Sequence, residues 1–105
     1  MSNNSMVEFY EMLGFEEIEI EDGLIVLGLE VTPEGHYALV TDDEGTMPKT
    51  SSQGIIFAYY TADDVFLWSA GFKNSNVFKR IWDSTQAITA KLDAIMEYRK
   101  ENEAF

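Results

Sequence analysis

The hydrophobic and polar positions change period several times along this chain, and each change marks an element. Met6, Phe9, Tyr10 and Leu13 fall at helical spacing, which predicts a short amphipathic helix over 6–13. The preceding SMVE has the form of a capping box, with Ser5 and Glu8 able to satisfy each other's backbone amides. Gly14 is suited to stop that helix, and Phe15 to fold back onto its last turn. The period then drops to two. Ile18 and Ile20 alternate with Glu17, Glu19 and Glu21, the pattern of a half-buried strand. Asp22-Gly23 suits a two-residue hairpin turn, which would set Ile20 opposite Ile25 and Ile18 opposite Leu27.

Residues 24–31 are apolar on both faces and predict a central strand with both sides covered. TPEG at 32–35 is a turn signal; pairing Val31 with His36 places Ala38 and Val40 on the face of Leu29 and Leu27. Residues 42–53, DDEGTMPKTSSQ, are polar and hold Gly and Pro, so they read as a loop. GIIFAYY and VFLWSAGF then predict a second hairpin around 61–64, with Phe57 facing Trp68 and Tyr59 facing Phe66. Behind candidate N-caps at Asn74, Ser75 and Asn76, the residues Phe78, Ile81, Thr85, Ile88, Leu92 and Ile95 recur in steps of three and four. They predict one helix over about 77–100. The expected fold is α+β: a five-stranded antiparallel sheet, a meander of three plus a hairpin, with a short N-terminal helix and a long C-terminal helix packed on one face. A helix lying across its own sheet accounts for the apolar series, and a homodimer seam along it is the alternative.

With 105 residues the chain is long enough for one domain. At 46% hydrophobic and 13% aromatic it belongs with folded proteins despite a net charge of −12. It has no cysteine, which excludes disulfides, zinc–thiolate centres and thiol catalysis. It has no apolar run of membrane-spanning length and no basic, apolar leader, so a cytoplasmic setting is expected. The charge is unevenly divided. Residues 1–48 carry twelve acids and no Lys or Arg, whereas residues 49–105 carry seven acids and all seven bases. A field of that sign repels phosphate backbones and anionic membranes and attracts basic protein surfaces.

Candidate chemistry is sparse. His36, the single histidine, stands beside a turn with no triad spacing around it. DDEG at 42–45 superficially suggests calcium, but it lacks the alternating acids of an EF-hand loop, and Ser51 stands where that loop wants its distal glutamate. No metal, cofactor or catalytic set is therefore assigned.

The LGF at 13–15, the strands GLIVLGLEV and HYALVT, and the hairpin before SNVFKRIW are ordered in a way that resembles type III secretion chaperones and YbjN-like proteins. The resemblance lies in the order of elements over most of the chain, and it implies an acidic α+β protein that binds other proteins. The expected function is thus non-catalytic docking of a partner with a basic patch, as an inhibitor, immunity or chaperone-like protein. Candidate contacts are Glu17, Glu19, Glu21, Glu30, Glu34, Asp42, Asp43 and Glu44. Two further readings are an assembly subunit that dimerises through the long helix (Phe78, Ile81, Thr85, Ile88, Leu92, Ile95) and a small enzyme.

Overall fold

The computed structural model describes residues 5–20 and 23–102, apart from the Ser5 side chain, so the Ser5–Glu8 capping box lies outside the described part. The elements are α1 (Ser5–Glu11), β1 (Glu16–Glu19), β2 (Ile25–Glu30), β3 (Tyr37–Asp42), β4 (Ile55–Tyr60), β5 (Phe66–Phe72), α2 (Ser75–Trp82) and α3 (Ile88–Asn102). The strands form one antiparallel sheet in the order β1-β2-β3-β4-β5. The fold is α+β, with a short N-terminal helix and the 15-residue α3 as its long C-terminal helix.

The three helices share one face of the sheet. Met6 and Tyr10 of α1, Phe15, Phe78 and Trp82 of α2, and Ile95 of α3 join Leu27, Val40, Ile55, Phe57 and Phe72 of the sheet in one buried cluster. Aromatic rings dominate it. Phe78 lies 5.2 Å from Phe72, 5.4 Å from Trp82 and 5.9 Å from Phe57, measured between ring centroids. Two of the polar groups that enter this layer are paired. The Tyr10 hydroxyl donates to Ser75 Oγ at 2.7 Å, and Trp82 Nε1 donates to the Leu13 carbonyl at 3.0 Å, tying α2 to α1. The Phe15 N–H reaches back to the Tyr10 carbonyl (3.0 Å) past Gly14, the helix stop expected there.

The single long helix over 77–100 is corrected to two. Asn74 caps α2 by accepting from the Val77 N–H at 2.9 Å, and the helix ends at Asp83. The Ser84 hydroxyl then donates to the Ile81 carbonyl (2.6 Å), while Lys91 Nζ reaches back to the carbonyls of Trp82 and Thr85 and lies 5.0 Å from the Trp82 ring centroid. Those bonds satisfy the open carbonyls of a helix end. The apolar series keeps its phase across the break, so its spacing gives no sign of it. The signal was Asp83-Ser84-Thr85, three consecutive residues that favour caps over helix interiors. The break also turns Lys79 and Arg80 into last-turn residues of α2, where the helix dipole favours cations.

Three connections are built alike. Across 32–36, 42–46 and 61–65 the first residue's N–H donates to the fifth residue's carbonyl, and the fourth residue's N–H donates back to the first carbonyl. The first side chain (Thr32, Asp42 or Thr61) also accepts from the fifth residue's N–H. The fourth residue has positive φ: Gly35 +100°, Gly45 +83° and Asp64 +67°. This is a three-residue loop closed by a left-handed residue. TPEG, DDEG and TADD are therefore three versions of one turn.

The described part of the first connection shares two of its marks, the Ile20 N–H to Leu24 carbonyl bond at 2.8 Å and φ of +76° at Gly23. The expected two-residue turn is thereby corrected. Ile18 pairs with Val26 and Glu17 with Leu27, a slip of one residue that moves every β1 side chain to the opposite face. The second hairpin is corrected as well. Tyr59 pairs with Trp68, Phe57 with Ala70 and Tyr60 with Phe66, with a bulge beside Tyr59/Tyr60. The bulge carries Phe66 to the sheet face away from the helices.

Candidate functional site

Among the described residues, that second face carries no helix. Two cross-strand rows can be read along it. One runs Glu16, Gly28, Leu39, Ala58, Ser69; the other runs Glu30, Tyr37, Tyr60, Phe66. The second row is an aromatic ladder over β3, β4 and β5. The Tyr37 and Tyr60 rings stack at 5.2 Å with 8° between planes, and Phe66 meets Tyr60 edge-on at 5.7 Å. Phe66 remains 53% exposed.

Beside the ladder is a trough of about 660 Å³ lined by Ile18, Glu19, Ile20, Leu24, Tyr37, Leu39, Tyr60 and Asp64. Its lining comes from opposite corners of the sheet. The 20–24 connection is at one end of β1–β2, and the 61–65 turn is at the other end of β4–β5. The right-handed twist of a sheet raises one diagonal pair of corners toward the same face, which explains how these two tips share a concavity. Gly28 makes room for Ile18: a Cβ there would lie 2.6 Å from Ile18 Cδ1 and 3.4 Å from Leu39 Cδ2. Only a glycine lets Ile18 close down in this way.

At the trough's far end Asp64 accepts a hydrogen bond from the Tyr37 hydroxyl at 2.7 Å. Burial, reinforced by that bond and by the Asp64 charge, pushes the Tyr37 phenol up to about 12. Asp64 holds a left-handed backbone conformation where the matching residues of the other turns are glycines, a placement that carries strain for a side-chain-bearing residue.

The expected docking carboxylates do not form one patch. Glu17 and Glu19 are exposed at the β1 edge; the register pairs Glu17 with Leu27 on the helix side of the sheet, whereas Glu19, the last residue of β1, lines the trough. Glu30 is exposed and begins the aromatic row, and Glu34 is exposed in the 32–36 turn. Asp43 and Glu44 are exposed at the opposite end of β3, about 20 Å away by strand length. Glu21 lies outside the described residues. Asp42 is corrected outright as a contact residue, being 1% exposed. Its carboxylate accepts from the N–H groups of Glu44 and Thr46 (both 2.9 Å) and from the Thr46 hydroxyl (2.8 Å), with Lys49 at 3.5 Å. Burial alone would raise its pKa, but the Thr46 and Glu44 bonds and the Lys49 charge hold it below the usual aspartate value.

The bases keep away from the trough. No strand carries a Lys or Arg, whereas α2 and α3 carry Lys79, Arg80, Lys91, Arg99 and Lys100. Lys79 pairs with Asp83 at 2.7 Å, within its own helix end. Arg99 Nε donates to the Ser69 carbonyl on the β5 edge at 2.7 Å. Of the proposed helix seam, Phe78 and Ile95 are fully buried in the chain's own core, Ile81, Ile88 and Leu92 pack against it, and Thr85 falls in the break between helices. His36 is half-buried with Nδ1 3.2 Å from the Tyr59 hydroxyl. Its ring thus meets a phenol rather than an aliphatic hydroxyl that it could activate. Among the described residues no group of three carboxylates or histidines is placed to hold a metal ion, and no helix is long and apolar enough to cross a membrane.

No protein-family model, curated protein or solved structure matches this chain. The site that sequence reasoning missed is the trough with its ladder. Its signals were the IIFAYYTADDVF segment, where Tyr60 and Phe66 flank a TADD turn of the same build as TPEG, and the lone glycine in IVLGLE.

Proposed function

We propose that this protein is a non-catalytic binding domain that docks a basic protein partner against the open face of its sheet, in a cytoplasmic setting. One observation carries the reading: the two layers differ in net charge, with five acids and no base on the strands against five acids balanced by five bases on the helices. The strands carry acids and no base, while five of the seven bases are on α2 and α3 behind them. A basic surface is steered toward the sheet side rather than toward the electrically balanced helices. The open face then offers exposed aromatic and aliphatic side chains, the kind that supply most of the affinity at protein interfaces.

The test is affinity capture from the native host at low and high salt, with reversal of Glu16 and Glu30 to Lys as one variant and reversal of Lys79 and Arg80 to Glu as another. The expected result is a partner lost at high salt and in the sheet variant, and kept in the helix variant. Capture indifferent to salt and to both variants refutes the reading. Dimerisation through the helices is the competing reading, and it has to do without Phe78 and Ile95, which the core already uses.

A further inference from the structure

We infer that the trough receives an arginine or lysine side chain of the partner, carried in a short segment whose neighbouring side chains are aliphatic. This rests on the binding function proposed above and says where on the open face the partner sits. A volume of about 660 Å³ is in the range of sites that enclose a ligand group. One end is walled mainly by the aliphatic side chains of Ile18, Ile20, Leu24 and Leu39, with Glu19 beside them. The other end presents the Asp64 carboxylate beside the stacked rings of Tyr37 and Tyr60. A carboxylate next to aromatic faces is the setting that binds a guanidinium or ammonium, through a charge-assisted hydrogen bond and cation–π attraction.

Charge complementarity selects this occupant. Among the described residues the carboxylates lining the trough are Glu19 and Asp64, with Glu16 and Glu30 on the same open face, and no base lies on any strand. Among the described residues no cation of the chain pairs with Asp64 or Glu19. A second copy of this chain, at −12, would bring more negative charge to an already negative face. An acidic segment meets the same repulsion, and a purely apolar one leaves Asp64 without a cation.

The test uses the labelled full chain, titrated by NMR with a blocked pentapeptide of alternating leucine and arginine. Matched peptides carry glutamine or glutamate in place of arginine. The arginine peptide is expected to shift Ile18, Leu24, Tyr37, Leu39 and Tyr60, with the glutamine peptide about tenfold weaker and the glutamate peptide silent. Asp64→Asn, which keeps a residue tolerant of positive φ, should weaken the arginine peptide about tenfold and leave the glutamine peptide unchanged. Equal binding of the arginine and glutamine peptides, shifts confined to the helices or the β1 edge, or no binding at all would each overturn the assignment. Salt-sensitive capture of a native partner alongside any of those results would leave the basic-partner function standing and remove only the trough. Peptide binding as expected, with capture indifferent to salt, would do the reverse.

Discussion

The two faces of this sheet are built from similar residues and put to different ends. The covered face sets Phe57, Phe72, Phe78 and Trp82 into a continuous aromatic core with its hydroxyl and indole groups paired inside the chain. The open face sets Tyr37, Tyr60 and Phe66 in a row with one edge in solvent, two acids (Glu30 and Asp64) at its Tyr37 end, and no helix of the described residues above. An aromatic residue is thus no guide to the core by itself; the strand register decides which face it serves. The difference teaches that the open face has to be judged by what could cover it, and the covered face by what it costs to uncover.

The largest effect should come from the covered side. Phe78→Ala removes a ring in contact with Phe57, Phe72 and Trp82 and should cost about 3–5 kcal/mol in urea unfolding. Phe66→Ala, on the open face, should cost under about 1 kcal/mol, since its ring is half in water already. Equal losses at the two positions would mean that the open face is also part of the stabilising core.

Next is the turn at the far end of β3. Asp42→Ala leaves the amides of Glu44 and Thr46 without their acceptor and should cost about 2–3 kcal/mol. The same group predicts a pH response. Its pKa is lowered in the folded state, so its contribution is present above the ordinary aspartate value near 3.9 and is lost as pH falls through the folded value. Urea midpoints followed from pH 6 down to 2.5 should fall less steeply below pH 4 in Asp42→Asn than in the parent chain. An unchanged slope would show that the carboxylate is not held by these bonds. DDEG is in this sense a structural turn anchored by one buried aspartate, the counterpart of TPEG.

What could be read from the sequence follows physical lines. The helix-to-strand change at Gly14, the Val31–His36 pairing and the hydrophobic run of each strand were legible, because period and turn chemistry are local. The registers of the first and last hairpins were not. Asp22-Gly23 is compatible with loops of two or three residues, and that one residue exchanges the two faces of β1. The bulge beside Tyr60 similarly turned Phe66 outward. The acidic half was plain in the sequence, but its distribution over two faces, two ends of β3 and one buried aspartate could not be seen without those registers.

Gly28→Ala sharpens the comparison by changing the open face alone. The new methyl would meet Ile18 Cδ1 at 2.6 Å, so Ile18 has to swing out of the trough. The strain is set against the gain from replacing a glycine in a strand, for a net loss of about 1 kcal/mol or less. Combining it with Ile18→Ala should remove that loss, a coupling measurable in a double-mutant cycle. Additive effects would mean that Ile18 does not close over Gly28 in solution.

The smallest change in stability should accompany Asp64→Gly. Glycine relieves the positive φ, worth up to about 1 kcal/mol. Loss of the Tyr37 hydrogen bond takes away a similar amount, so unfolding midpoints should move by under about 0.5 kcal/mol. The phenols provide the sharper readout. Tyr10, on the covered face, is pushed up to about 12 by burial against a partial offset from Ser75, and Tyr37 reaches about 12 through burial with Asp64 adding to it. Both groups are held neutral by the fold. Their contribution is complete below pH 10 and is lost as pH rises from there toward 12, where the unfolded chain ionises its phenols first. Asp64→Gly should therefore lower the Tyr37 titration, with burial still holding it above the ordinary value, and leave Tyr10 where it is, followed by ultraviolet absorbance with Tyr37→Phe to assign the step. If Tyr37 does not move, Asp64 is turned away from the trough in solution. The open face would then have lost the carboxylate that distinguishes a site for a basic partner from a merely apolar surface.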